Sequence, residues 1–297
     1  MEVLFSQRNA IYYLEHCRII VKDSILSFVK KDKGVSKYWS IPYANVAVLL
    51  LGSGTSLTQQ AARILATEGV MVAFSSGDGV QLYMASQSEY REPQYLQAWY
   101  SKWQDMANRL NIAKTFQHQR IKNVTQSWHK LKSEYELPLE KLESINQKYT
   151  EQILNAKSTQ ELMGYEGNYT KSLYAALAKV KNISFSREQQ SDDLINRNLD
   201  QANYLAYGLA ACVLWVLGIP HCFPVSHGLT RRGALVFDVA DLIKDACILP
   251  IAFSCGVDGI IGMDLRKKCI AYLEDFKALE KMFNTIKGVL HAGNDCE

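Results

Sequence analysis

Three aspartates stand at positions 238, 241 and 245 in the run ALVFDVADLIKD (234–245), at spacings of three and four. On a helix this spacing places all three on one stripe. The remaining positions, apart from Lys244, are apolar. Carboxylates on such a stripe are costly unless something cationic satisfies them. Arg231, Arg232 and Lys244 can do so within the chain. A divalent metal held by Glu166, His227 and Asp241 would do so as well, and spacing leaves both readings open. Glu166 lies in GYEGNY (164–169), expected at the start of a helix, with Gly164 and Gly167 close on either side. Glycines there let another backbone approach the carboxylate. Two carboxylates and one imidazole favour Mg²⁺ or Mn²⁺. Catalytic zinc more often takes two or three histidines, and H-E-x-x-H is absent. Beside a basic surface, such an ion would polarise a phosphate and stabilise charge in phosphodiester chemistry.

A basic surface is present in the sequence. Residues 107–132 contain Arg109, Lys114, Arg120, Lys122, Lys130 and Lys132 and no acidic residue. Positive charge without carboxylates suits a polyanion, because each phosphate contact releases condensed counterions. A solvated helix face is the alternative. The net charge of +3 hides this: residues 94–157 carry ten basic and six acidic residues, residues 158–297 fourteen and sixteen. A third candidate is Gly52-Ser53-Gly54-Thr55-Ser56. It lacks a P-loop lysine, and Leu57 stands where a dinucleotide fingerprint has its third glycine. It reads as a tight turn with Thr55 or Ser56 capping a helix.

The elements that must position these residues form two blocks. Short β-branched or aromatic runs at 10–14, 18–22, 25–29, 46–51, 70–74 and 80–84, with a helix at 57–68, predict a β-rich domain over residues 1–90. Gly77-Asp78-Gly79 reads as the turn joining the last two strands. Beyond Pro93 the period changes. Tyr95, Trp99, Trp103 and Met106 recur at helical spacing, and helices are expected at 139–155, 169–178, 194–217, 235–248 and 269–289. Residues 95–297 thus read as a mostly α-helical domain, which carries the candidate catalytic and DNA-binding residues above, with the boundary near 86–95, and the fold class as α+β. The longest uncharged apolar stretch, Tyr204–Ile219, has 16 residues, short for a membrane span of about 20. It reads as a buried core helix. The N-terminus shows no secretory pattern. Seven cysteines without a C-x-x-C pair suit a reducing cytoplasm. Cys222, near His227, reads as a small packing residue.

Together, LGSGTSLTQQAA (51–62), SSGDGVQLYMAS (75–86), GYEG (164–167), NYLAYG (203–208) and SHGLTRRGALVFDVADLIKD (226–245) resemble the CRISPR-associated spacer-acquisition integrase family, Cas one. The last two are most similar to its subtype I-F branch. Ser53 departs from the family pattern, which often has proline there. The resemblance implies a β domain through which two copies pair, and a helical domain holding the active site. It implies a metal-dependent DNA integrase and endonuclease. Such an enzyme joins the 3′-hydroxyl ends of captured double-stranded DNA to a CRISPR repeat by transesterification. Its metal ligands fall on Glu166, His227 and Asp241, with Asp238 at a nearby acidic position. Arg231, Arg232 and Lys244 fall where the family has basic residues around the scissile phosphate. A second CRISPR acquisition protein, fused to a helicase–nuclease, is the implied partner. A stand-alone nuclease acting on branched DNA would need the same site, and a non-catalytic DNA-binding scaffold would pair the carboxylates with basic residues instead.

Overall fold

The computed structural model describes residues 8–32, 34–75, 81–84, 93–188, 191–228 and 233–291. The chain divides into two compact units, Met1–Arg91 and Glu92–Glu297. Arg231, Arg232 and the 77–79 turn lie outside the described residues.

The first unit holds two four-stranded sheets. Strands β1 (Asn9–Leu14), β5 (Val46–Leu51), β7 (Met71–Ser75) and β8 (Gln81–Met84) form one. In it β1, β5 and β7 run parallel, and β8 is antiparallel to β7. Central β5, VAVLLL, is buried at all six positions, as expected of a strand covered on both faces. Strands β4 (Val35–Ser40), β3 (Ile25–Asp32), β2 (Arg18–Lys22) and β6 (Ser56–Leu57) form the other. Helix α1 (Gln59–Thr67) adds Ala61 and Leu65 to a core shared with Ile19, Leu26, Leu49 and Leu51. Strand β4 escapes an apolar-pattern reading because every one of its residues is exposed. Its order comes from antiparallel pairing with β3.

The Gly52–Ser56 segment is a turn. Gly52 N–H donates to Leu14 O and His16 N–H to Ser53 O. A Cβ on Gly52 would lie 2.1 Å from the Tyr13 hydroxyl oxygen, and Gly54 has φ +68°. Both glycines therefore serve packing and turn geometry. The helix cap is Thr58, which accepts from Ala61 N–H, and neither Thr55 nor Ser56. Thr55 donates to Leu14 O, and Ser56 belongs to β6.

The second unit is helical: α2 (Gln94–Gln104), α3 (Met106–Tyr135), α4 (Leu139–Asn155), α5 (Thr159–Val180), α6 (Leu194–Val216), α7 (Ala234–Ile243), α8 (Leu249–Val257), α9 (Gly262–Asp275) and α10 (Ala278–His291). Met106, expected on the first helix, opens the second. Asp105 is extended between them and caps α3 by accepting from Asn108 N–H. The single helix expected over 269–289 is two, because Lys277 adopts φ +54° between α9 and α10. The helix expected over 235–248 is α7 running through one π turn, Lys244–Ile248, into α8. Helix α6 carries the long apolar stretch and is buried along most of its length. No helix among the described residues is long and apolar enough to cross a membrane.

Candidate metal and phosphodiester site

Four segments bring the site together: α3 with Arg120, α5 with Glu166, the loop before α7 with His227, and α7 with its π turn carrying Asp238, Asp241, Lys244 and Asp245. Residues 164–169 lie in the middle of α5, not at its start. Ser158 caps that helix six residues earlier by accepting from Glu161 N–H. Two glycines inside a helix each cost roughly 0.5–1 kcal/mol relative to alanine. Neither is needed for packing, since a Cβ at Gly164 or Gly167 would meet no atom within 4 Å. Gly164→Ala and Gly167→Ala should therefore each raise unfolding stability by about 0.5–1 kcal/mol in urea titrations. A loss of stability would show that the glycines serve the fold instead.

Arg120 is the hub. Its side chain is 1% exposed. Nη1 donates to Glu166 Oε1 at 2.7 Å and to Gln117 Oε1 at 3.2 Å. Nε donates to Asp245 Oδ2 at 2.9 Å, and Nη2 donates to the same oxygen and to Thr170 Oγ1. Asp241 Oδ2 lies 3.9 Å from Nη1, so Glu166 and Asp241 converge on one nitrogen. The Lys244 ammonium donates to Asp241 Oδ1. His227 Nδ1 is 2.8 Å from Asp238 Oδ1. With a carboxylate accepting there, Nδ1 carries the proton and Nε2 is left as acceptor or ligand.

Each ionised state is held against burial. Burial would raise the Asp241 pKa, but Lys244, Arg120 and His227 outweigh it and hold the carboxyl at about 2. Burial would discharge Arg120, but Asp245, Glu166 and Asp241 push its pKa well above the usual guanidinium range. Burial opposes charge on His227 too, and the Asp238 hydrogen bond together with the charges of Asp241 and Asp238 outweighs it, raising the imidazole. Lys244 is raised in the same way, chiefly by Asp241.

Among the described residues, four carboxylates (Glu166, Asp238, Asp241, Asp245) face two permanent cations, Arg120 and Lys244. Protonation of His227 would still leave one negative charge unmatched. No three His, Cys, Asp or Glu side chains among the described residues stand ready to enclose a metal. The donor chemistry nevertheless fits a hard divalent cation. Two carboxylates already meet at a cationic nitrogen, an imidazole is oriented by its own carboxylate, and carboxylates outnumber permanent cations among the described residues.

The basic residues expected to meet DNA are not one surface. Arg120 is buried among carboxylates and is no part of a phosphate-binding face, which corrects its reading as a backbone contact. Its position carries a signal: it falls on the stripe Ala113, Phe116, Gln117, Val124, Ser127 and Trp128, which faces inward. Lys114 and Lys132 are five helical turns apart on one side of α3, while Arg109 shares the side of Arg120. Lys122, Lys130 and Lys132 are exposed; Lys114 donates to Leu154 O, and Arg109 lies over the Trp103 ring. Lys244 is bound to Asp241 inside the site. Cys222, read as a packing residue, is exposed.

Residues 11–256 match the family model "CRISPR associated protein Cas1". A CRISPR-associated endonuclease Cas1 of Pectobacterium atrosepticum is 40% identical over 97% of this chain and 94% of its own length. One from Pseudomonas aeruginosa is also 40% identical, with the same coverage. A solved structure, a TtCas1–DNA complex, matches with TM-score 0.71 at 20% identity, over 94% of this chain and 91% of that one. On sequence and fold together, the chain belongs to the Cas1 family of CRISPR-associated proteins.

Proposed function

We propose that this chain is the metal-dependent integrase and endonuclease of CRISPR adaptation, joining DNA 3′-hydroxyl ends to repeat DNA by transesterification. The observation that carries the reading is the convergence of Glu166 and Asp241 on one nitrogen of Arg120, in a cluster that also holds His227 on Asp238. Glu166, His227 and Asp241 would hold Mg²⁺ or Mn²⁺. That ion supplies Lewis-acid polarisation of a phosphate oxygen when bound.

The chain's own residues do the rest. Asp238 fixes the ring of His227 so that Nε2 is the nitrogen presented. Arg120 and Thr170 hold the Glu166 carboxylate in one orientation. Lys244 keeps Asp241 ionised. No protein nucleophile is needed, because a DNA 3′-oxygen attacks. The enzyme's task is alignment and charge stabilisation. One phosphodiester is exchanged for another, so the reaction needs no ATP. Double-stranded DNA, a second copy of the chain paired through the first unit, and a second acquisition protein fused to a helicase–nuclease complete the proposed assembly. The names of the endonuclease relatives and the DNA-bound neighbour support the choice of DNA.

The test uses two versions of one DNA duplex, with ordinary or dideoxy 3′ ends, and a labelled repeat target with Mn²⁺. Joining is expected only from the ordinary ends. Cleavage of branched DNA with no joining from either would favour the stand-alone nuclease.

A further inference from the structure

The loop that carries His227 is fastened along both of its edges. On one edge Asp238 gathers three successive amides. It accepts from Val225 N–H at 2.7 Å, Ser226 N–H at 3.2 Å and His227 N–H at 3.0 Å. On the other edge α2 supplies two indoles. Trp99 Nε1–H donates to Phe223 O at 3.2 Å, and Trp103 Nε1–H donates to Pro224 O at 2.7 Å. The Phe223 ring packs edge-on between Tyr100 and Trp103, at 5.7 and 4.9 Å between centroids. Tryptophans at i and i+4 thus reach consecutive carbonyls of a segment with no helix or strand of its own. A buried indole brings a polar N–H that must find a partner. Both choose the same loop, immediately before the residues that Asp238 holds.

We propose that Trp99 and Trp103 are positioning residues for His227, acting as a clamp on the carbonyl edge of the 223–227 loop. The proposal rests on the reading of His227 as a residue of the site. Neither tryptophan touches the reacting atoms. With the carbonyl edge released, Asp238 is left as the hydrogen-bonding restraint on residues 225–227, and the imidazole loses a fixed position along the chain direction. Displacement of a reacting or ligating group by about 1 Å costs up to roughly 100-fold in rate.

Trp103→Phe keeps an aromatic ring and deletes the donor. Amide hydrogen exchange of the variant is measured without metal or DNA, followed by single-turnover joining and DNA affinity. Exchange at Ser226 and His227 should rise about five- to tenfold, the worth of one lost hydrogen bond, with helices α3 to α8 unchanged. The joining rate should fall about 10- to 100-fold at unchanged DNA affinity. Unchanged exchange at 225–227, or an increase spread evenly over the unit, overturns the clamp. If Trp103→Phe does not fold, Phe223→Leu keeps both indoles, removes their aromatic seat, and should raise exchange in the same loop. His227→Ala separates the two claims. Wild-type joining by that variant removes His227 from the site, whereas the exchange experiment still decides whether the tryptophans hold the loop.

Discussion

Glu166→Gln is expected to lower the single-turnover joining rate by about 10²–10³, the usual loss when one electrostatic stabiliser is removed from a catalytic site. The substitution is nearly isosteric. The amide oxygen still accepts from Arg120 and Thr170, so the side chain stays where it is. What disappears is one negative charge from a cluster of four carboxylates and two permanent cations. A divalent cation then meets one carboxylate fewer. Asp241→Asn should behave alike, and the double variant should lose little more than either single one, because residues acting as a unit are not additive. Calorimetric titration of Mn²⁺ gives an independent reading, with weaker binding expected in both single variants. Joining at the wild-type rate by Glu166→Gln would remove this cluster from the chemistry. Additive losses would show that the two carboxylates act separately.

Arg120→Ala is expected to destabilise the second unit by about 3–5 kcal/mol, the cost of leaving buried charge without its partner. Asp245 is 1% exposed and takes two of the guanidinium's N–H groups. Glu166, Gln117 and Thr170 each lose a donor as well. Lysine cannot substitute, because a single ammonium does not reproduce a planar fork with five donors. Arg120→Lys should therefore recover less than half of the lost stability. Urea unfolding followed by circular dichroism reads both variants. A loss below about 1 kcal/mol for Arg120→Ala would place this pair among ion pairs of surface strength. The same change should also impair joining in whatever protein remains folded, since Glu166 loses its orientation.

The two variants show which parts of the site could be read from sequence. Glu166 and Asp241 drew attention as carboxylates between glycines and in an apolar run, but spacing left an ion-paired role open, and the resemblance singled them out with His227 as a set. The i,i+3 and i,i+4 pattern of Asp238, Asp241 and Asp245 survived into the structure, where α7 and its π turn direct them to three partners. Arg120 was visible only as one of six basic residues. Whether a basic side chain faces water or the core depends on the helix packed against it, and local composition does not say. Strands β2 and β5 were legible from β-branched runs, but β4 was not. Its order comes from hydrogen bonds to β3 and from the Trp39 ring stacked on Phe28 across the pair, neither of which gives an alternating apolar pattern. Helix α8 was missed because it is buried on every side and has no polar face to give it a period. The break at Lys277 went unread because a lysine at φ +54° leaves no composition signal.

The π turn at Lys244–Ile248 has a consequence for insertions and deletions. It carries the chain from α7 to α8 with a wider turn than an α-helix, and Pro250 follows just beyond it. Such a turn holds one residue more than the α-turn it replaces, so loss of a single residue here can be absorbed by closing it to an ordinary α-turn. Helix α8 would keep its face, with Gly256 still against Ile195, whose Cα would stand only 2.6 Å from a Cβ at that glycine. A residue lost from the regular part of α8, between Leu249 and Gly256, has no such outlet. It would turn the rest of that helix by about 100° and drive a bulkier side chain against the start of α6. The helix therefore tolerates a change of length at its wide turn and nowhere between that turn and Gly256.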